Sequence, residues 1–191
     1  MIRRPPRSTQ GVSSAASDVY KRQALEVPVA ELTRDVDDAS FCLSKALSCP
    51  VGSVLVGSKE FIKEANRWRK MVGGGMRQAG VLAAAGLVAL ETMVDRLAED
   101  HQNARRLAAG LANIDGITVN ADIIQTNIVI FNVDAKVGPV PDFINAMAES
   151  DVLVSYPGES SVRMVTHRHI SGGDVEDTLS RTSKVVRELQ G

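Results

Sequence analysis

Apolar residues recur at helical spacing in several segments of this 191-residue chain. A helix is predicted wherever three or more apolar side chains fall on one face at that spacing. Ser58 and Ser171 directly precede two such segments, and serine is a favoured N-cap residue. Pro139 and Pro141 suit the start of another helix. Helices are therefore predicted over residues 24–38, 59–71, 76–112, 139–150 and 172–189.

Shorter apolar runs predict β-strands. Residues 40–45 and 52–57 form two such runs, joined by a turn at residues 46–50. From residue 117 onward short strands alternate with helices, which is typical of an α/β layer. Asn127 is interpreted as a strand-edge residue whose amide pins this layer. The strands predicted in this part are residues 117–119, 127–133, 151–155 and 161–166.

The first 23 residues differ in composition from the rest of the chain. They carry five basic residues and one acidic residue, and they lack the apolar core of a secretory signal. Residues 1–23 resemble translated sequencing-adaptor sequence, so we interpret them as an irregular, non-native leader on a truncated gene product. A second division is predicted near residue 113, which separates residues 24–112 from residues 113–191.

Charge and composition argue against several classes of partner. The net charge of −1 argues against nucleic acid or an acidic membrane as a main partner. The longest apolar stretch, residues 79–90, is too short to span a bilayer. Cys42 and Cys49 are interpreted as free thiols in a reducing compartment, so a cytoplasmic location is expected. No metal site is predicted, because His167 and His169 lack a third ligand.

Lys45 is the first candidate for chemistry. It follows an apolar strand at the mouth of a strand–turn–strand unit, where a poorly solvated amine tends to lose its proton. A neutral amine is what Schiff-base formation with an aldehyde requires. The spacing by itself favours another interpretation, a surface lysine whose stem lies along an apolar strand.

Two further segments carry candidate binding residues. Residues 73–75 are glycines before an expected helix N-terminus, which favours an anion, although glycines are also typical of a plain connector. Arg163 alternates with Val162 and Met164 in a strand, so its guanidinium lies on one face. There it could bind a carboxylate in bidentate fashion or pair with an acidic side chain. Arg168 lies past the end of that strand, where water can solvate it.

The sequence resembles low-specificity threonine aldolases in an ordered series of motifs. They are SFCLSK at 40–45, PVGSVLVG at 50–57, RWRKM at 67–71, GGGMRQAGVLAAAG at 73–86, EDH at 99–101, QTNI at 125–128 and VRMVTH at 162–167. The match covers nearly everything from Ala24 to the C-terminus. In one departure, the family usually shows Lys-Gly-Leu-Gly where this chain has Lys45-Ala46-Leu47-Ser48. Two lost glycines could strain a tight turn that needs positive φ.

The resemblance implies a fold and a cofactor. The fold is the α/β fold of pyridoxal-phosphate-dependent transferases of the aspartate-aminotransferase type, known as fold type I. Residues 24–112 would be the C-terminal part of the cofactor-binding large domain with its connecting helix, and residues 113–191 the small C-terminal α/β domain. The implied site residues are Lys45 as the Schiff-base lysine for pyridoxal 5'-phosphate, Lys70 and Arg77 as phosphate or interface contacts, and Arg163 as the substrate-carboxylate ligand.

The implied activity is that of a lyase. A β-hydroxy-α-amino acid such as L-threonine or L-allo-threonine would be cleaved in a retro-aldol reaction to glycine and acetaldehyde, in a homodimer or homotetramer. The family's stacking histidine and the aspartate that pairs with the pyridine nitrogen would lie before Ala24, so this chain alone is expected to be inactive. A β-eliminating lyase of an aromatic amino acid and a non-catalytic dimerisation fragment are the alternatives.

Overall fold

The computed structural model of the chain describes residue 24, residues 26–158 and residues 160–191. The predicted leader, residues 1–23, lies outside the described residues. The helices are α1 (Val29–Leu32), α2 (Lys59–Met71), α3 (Gly80–Thr92), α4 (Leu97–Leu111), α5 (Val140–Glu149) and α6 (Gly172–Gln190), with a 3-10 helix at Ala121–Ile123. The strands are β1 (Asp38–Cys42), β2 (Ser53–Gly57), β3 (Ile117–Thr118), β4 (Ile128–Val133), β5 (Ser155–Gly158) and β6 (Ser161–Val165).

The first core forms around an antiparallel hairpin. In the β1–β2 pair, Cys42 lies opposite Ser53. The segment that connects the two strands supplies most of the buried residues of this core. Leu47 of that connection packs with Ala89 of α3 and Leu97 at the start of α4. The other buried members are Leu43, Ala46 and Cys49, and the partly buried ones are Phe41, Val54, Ala85, Met93 and Val94. The turn after β1 is therefore an ordered part of a core.

The second core lies on one face of a four-stranded antiparallel sheet. The strand order is β3-β4-β6-β5, which places β5 at an edge. Along β4 exposed and buried residues alternate, with Val129 and Phe131 buried and Ile128 and Ile130 exposed. The Phe131 ring meets Phe143 of α5 edge to face, with 6.2 Å between centroids. Helices α4, α5 and α6 supply most of the other core residues, so the opposite face of the sheet stays open.

A buried polar cluster joins α4 to the end of β6. Thr166 donates its hydroxyl to the carbonyl of Asp100 at 2.6 Å, and Asn127 donates its side-chain amide to the carbonyl of Thr166 at 2.8 Å. The Asp100 carboxylate in turn lies 3.0 Å from a guanidinium nitrogen of Arg96. Buried polar groups are stable when they are hydrogen-bonded in this way. The interpretation of Asn127 as a residue that pins the C-terminal layer is confirmed.

Local capping signals predicted two of the longest helices correctly. The Ser58 hydroxyl accepts a bond from the Phe61 amide at 3.1 Å at the start of α2. At the start of α6, Ser171 and Asp174 form a reciprocal capping box. The hydrogen bond from the Ser171 hydroxyl, then that from its backbone amide, holds the pKa of Asp174 below its ordinary value.

The predictions for residues 24–38 and 76–112 are wrong in extent. Among the described residues of the first segment, Ala24 and Val29–Leu32 are helical, Glu26 lies in a turn between them, and β1 already begins at Asp38. Val29 and Leu32 are exposed, so this helix lacks the packing that stabilises short helices. The second segment is two helices, because α3 ends at Thr92 and α4 begins only at Leu97. Ala89 of α3 belongs to the first core, whereas α4 contributes mainly to the second.

The strand predicted at residues 151–155 is also wrong. Only Ser155 of that segment is in a strand, since β5 begins there. Asp151 has a φ of 58°, a left-handed conformation that follows the C-cap of α5. A residue in that conformation terminates a helix and turns the chain, and it does not fit an extended strand.

The division of the chain near residue 113 stays a prediction. In the structure, the second core already includes four residues of α4, which are Ala104, Leu107, Ala108 and Leu111. The helix assigned to the first part thus packs mainly with the second. Within the described residues, no helix combines the length and apolar character needed to cross a membrane.

Candidate functional site

The turn that carries Lys45 is fixed by backbone hydrogen bonds at its base. The Leu43 amide donates to the carbonyl of Gly52 at 2.9 Å, and the Cys49 amide donates to the carbonyl of Leu43 at 3.0 Å. Inside the turn, the Ser48 amide donates to the carbonyl of Lys45 at 2.9 Å. The lysine backbone is therefore held in a defined position relative to β1 and β2.

The Lys45 side chain is exposed. The expectation that the strand–turn–strand unit would shield its amine is wrong for the described residues. The reason is that Leu43, Ala46 and Leu47 occupy the interior positions of the turn and leave Lys45 on its outer side. The structure thus gives an accessible lysine on an ordered turn, without an apolar enclosure.

A cleft lies beside this turn, against α3. It has a volume of about 360 Å³ and is lined by Ser48 and Pro50 of the turn, by α3 residues such as Ala85 and Val88, and by Arg168. Most of these side chains are apolar. Lys45 does not line the cleft, whereas Arg168 reaches it from the C-terminal part of the chain.

A second cleft, of about 380 Å³, lies between α4 and the segment before α6. Its polar lining includes Arg96, Glu99, Asn103, Arg168 and His169. None of the predicted site residues lines either cleft. The structure therefore does not gather Lys45, Lys70, Arg77 and Arg163 around one of these two depressions.

The glycine segment forms the end of α2. Gly73 has a φ of 84°, and the Gly74 amide donates to the carbonyl of Arg69 at 2.7 Å. A Cβ on Gly74 would lie 3.0 Å from that same oxygen, so a residue with a side chain would require this turn to shift by a few tenths of an ångström. The expectation that the glycines adjoin a helix N-terminus is wrong, because α3 begins only at Gly80.

Lys70 and Arg77 flank this glycine segment, and both are exposed. Lys70 lies in the last turn of α2, where the helix dipole favours a cation. Among the ion pairs formed within the described residues, neither side chain takes part in one. Their charges are available to an anion from solvent or from another chain.

Arg163 lies on the open face of the C-terminal sheet. Val162 and Met164 on either side of it are buried, which confirms the predicted strand phase. The Arg163 side chain is exposed, so its apolar neighbours in the strand do not enclose it. Its Nε donates to the hydroxyl of Ser155 at 3.1 Å.

Ser155 is the residue near this site that sequence reasoning missed. The sequence predicts Ser155 as the end of a strand, whereas in the structure it is the cross-strand partner of Arg163 in the β5–β6 hairpin. The pairing includes a register irregularity between Ser155 and Gly158, so counting outward from the Gly158–Ser161 pair does not lead to it. The error in the position of β5 hid it.

The two histidines near the end of β6 lie close together and are exposed. The ring centroids of His167 and His169 are 5.8 Å apart, and the His169 amide donates to Nδ1 of His167 at 3.3 Å. In the part of the chain that the structure describes, no cluster of three or more potential metal ligands is found.

Ser48 is strained by its backbone conformation, and Ser48→Gly is expected to stabilise the fold. Its φ is 61°, which costs a residue with a side chain about 1–2 kcal/mol relative to glycine. Glycine loses more chain entropy on folding, so we expect a net gain of about 0.5–1 kcal/mol in the free energy of unfolding. Urea denaturation of the two chains measures the difference.

Ala46→Gly is the matched control for that variant. Among described non-glycine residues, positive φ occurs at Glu26, Ser48, Gln78 and Asp151, so Ala46 needs no glycine conformation. Ala46→Gly should therefore lower the free energy of unfolding by about 0.5–1 kcal/mol. Equal signs for the two variants would contradict this assignment of strain to Ser48.

Comparison with known proteins gives a consistent family match. A family model described as beta-eliminating lyase matches residues 12–134. The chain is 44% identical over 164 residues to the probable low-specificity L-threonine aldolase 2 of Arabidopsis thaliana, covering 85% of this chain and 46% of that protein. It is 42% identical over 142 residues to the low specificity L-threonine aldolase of Escherichia coli K12, covering 74% and 40%. The chain spans less than half the length of these two relatives.

Solved structures share the fold at low sequence identity. A Listeria monocytogenes protein provisionally named an L-allo-threonine aldolase aligns with a TM-score of 0.72 and 14% identity, over 90% of this chain and 51% of that chain. A PLP-dependent aminotransferase from Streptococcus suis aligns with a TM-score of 0.64 and 14% identity, over 81% and 42%. These likenesses confirm the predicted α/β fold class, that of fold type I transferases, and the curated relatives confirm the resemblance to threonine aldolases.

Proposed function

Because this chain belongs to the beta-eliminating lyase family, we propose that the protein it represents cleaves L-threonine and L-allo-threonine to glycine and acetaldehyde. The observation that carries the proposal is 44% identity, over 85% of this chain, to a relative named as a low-specificity L-threonine aldolase. The exposed Lys45 on its ordered turn supports the same chemistry. Since the chain covers less than half of that relative, the activity is proposed for the protein in its full natural length.

The side chains present fit pyridoxal phosphate by their chemistry. Lys45 offers an accessible primary amine for the aldehyde group. Lys70 and Arg77 offer exposed cations beside a glycine segment for the phosphate. When bound, the cofactor would supply the electron sink that such a carbon–carbon cleavage requires.

Arg163 would orient the substrate. A planar guanidinium binds a carboxylate with two parallel hydrogen bonds, which fixes the direction of the carboxylate as well as its place. With the amino group held at the cofactor and the carboxylate at Arg163, rotation about the substrate Cα is restricted. Holding the Cα–Cβ bond in one orientation is the positional contribution that this chain would make to catalysis.

The assembly and the domain roles are part of the proposal. On α3, Val81, Leu87 and Val88 are exposed on a helix that contributes few residues to either core. Exposed apolar surface of this kind marks contact with another chain or segment. It supports a homodimer or homotetramer in which Lys70 and Arg77 act near the cofactor of either subunit. We further propose a cytoplasmic protein, with residues 24–112 in the cofactor-binding large domain and its connecting helix, and residues 113–191 as the small C-terminal α/β domain.

One competing activity is favoured by a specific observation. The matching family model is described as beta-eliminating lyase. In such a reaction on an aromatic amino acid, the bond from Cβ to the ring would break and release the ring as phenol or indole, and the remaining three carbons would give pyruvate and ammonia with uptake of water. The two activities would share the cofactor and the lysine, so they are distinguished by their substrates and products. A non-catalytic dimerisation role would yield neither set of products.

Product analysis tests the proposal directly. The full-length protein, loaded with pyridoxal phosphate, should release acetaldehyde and glycine from L-threonine in equal amounts, measured by coupled aldehyde reduction and amino-acid analysis. L-tyrosine and L-tryptophan should give no pyruvate. Pyruvate from these substrates without acetaldehyde from threonine would favour the β-eliminating lyase. Cofactor binding without any turnover would favour the non-catalytic role.

A further inference from the structure

Arg163 has different neighbours on its two sides in the sheet. On β4 it lies opposite Ile130, whose side chain has no hydrogen-bonding atom. On the edge strand β5 it lies opposite Ser155. Both neighbours are exposed on the open face of the sheet. Of these two cross-strand neighbours, only Ser155 can form a hydrogen bond with the guanidinium.

Two hydrogen bonds connect the Ser155 hydroxyl to Arg163. The hydroxyl donates to the backbone carbonyl of Arg163 at 3.2 Å, and it accepts from Nε of the same residue at 3.1 Å. A serine hydroxyl has one proton and two lone pairs. Because its proton is directed to the carbonyl, a lone pair is left for Nε, and the two bonds reinforce one orientation.

The bond to Nε leaves the rest of the guanidinium available. Nη1 and Nη2 of Arg163 form none of the hydrogen bonds or ion pairs found within the described residues. These two atoms can together bind both oxygens of one carboxylate. A free arginine side chain loses much rotamer entropy when it binds, and a side chain already held at Nε loses less.

We propose that Ser155 is a positioning residue that holds Arg163 at Nε, so that Nη1 and Nη2 present a preformed fork to the substrate carboxylate. This inference rests on the proposed function, since it names the residue that orients the proposed carboxylate ligand. Ser155 itself does not contact the substrate. Its effect passes through the guanidinium of Arg163 alone.

The test compares three serine variants of the full-length, cofactor-loaded protein. Ser155→Ala should raise the KM for L-threonine about threefold to tenfold with kcat near the wild-type value, the scale of one exposed hydrogen bond from a charged donor. Ser155→Thr keeps the hydroxyl, so its KM should stay near the wild-type value. Ser161→Ala, two residues before Arg163 on β6, removes a hydroxyl that forms no hydrogen bond to Arg163 among the described residues and should change neither constant.

A second measurement needs no cofactor. In arginine-labelled apoprotein, the ¹⁵Nε–¹H signal of Arg163 should shift and exchange faster with water in Ser155→Ala but not in Ser155→Thr. Acetate should bind to Arg163 more weakly in Ser155→Ala, as followed by the same signal. An unchanged KM, or equal acetate binding in wild type and Ser155→Ala, overturns the positioning role even if the Nε signal moves.

These measurements distinguish a failure of the proposed function from a failure of the positioning role of Ser155. If the wild-type protein releases no acetaldehyde from threonine, the proposed function is wrong, and acetate binding alone then decides on Ser155. If threonine is cleaved but neither KM nor acetate binding responds to Ser155→Ala, the function stands and the positioning role falls.

Discussion

The Lys45→Ala variant of the full-length protein is expected to retain no pyridoxal phosphate after borohydride reduction, whereas the wild type carries one covalently fixed cofactor per chain. In the proposed function, Lys45 would supply the amine that the cofactor aldehyde needs. Threonine cleavage should fall by more than about three orders of magnitude, because the change removes a reacting group and does not merely weaken a contact. Peptide mass spectrometry of the reduced wild-type protein should locate the label at Lys45.

Lys63→Ala is the matched control for this variant. Lys63 is an exposed lysine on α2, so its loss should leave both the label and the activity unchanged. If Lys45→Ala keeps the borohydride-fixed label, another lysine is the attachment point. Lys70 would then be the first to examine, since the resemblance also places it near the cofactor.

The turn geometry supports proposing Lys45 rather than Lys70 as the attachment point. Three backbone hydrogen bonds fix the turn around Lys45, and Leu47 anchors it in a core at 1% exposure. Lys70 stands in the last turn of α2, where the helix dipole favours a cation. The fixed position of the Lys45 backbone suits covalent attachment of the cofactor. The positive charge that the helix dipole favours at Lys70 suits contact with the cofactor phosphate.

Local signals were sufficient for the parts of the fold that depend on adjacent residues. Ser58 and Ser171 predicted the starts of α2 and α6, because N-capping needs only the next three residues of the chain. The alternation of β4 and β6 was likewise predicted, since one face of each strand enters a core.

The errors arose where distant packing decides the structure. Apolar spacing over residues 76–112 could not show that α3 and α4 serve different cores, so the break after Thr92 was missed. Packing between distant residues also determines the surroundings of Arg163 in the candidate site. The strand phase of Arg163 was correct, but its exposure depends on an open sheet face that the local pattern does not reveal. The cross-strand partner Ser155 depends on hairpin register, which shifted with the misplaced β5.

Arg163→Lys is expected to raise the KM for L-threonine about tenfold to hundredfold in the full-length protein, roughly the value of a charged hydrogen bond. Lysine keeps the positive charge but lacks both the planar fork and the Nε that bonds to Ser155. The loss should therefore appear in KM and in acetate binding. Steady-state kinetics with threonine as the varied substrate measure it.

Arg168→Lys is the informative comparison, because Arg168 is the other exposed arginine close to β6. It lies beyond the end of the strand and, among the hydrogen bonds formed between described residues, has no hydroxyl partner of the kind that Ser155 gives Arg163, so its replacement should change KM little. Arg168 does line the cleft beside the lysine turn. If Arg168→Lys were the more damaging variant, the carboxylate would be bound at that cleft, and the assignment to the open sheet face would be wrong.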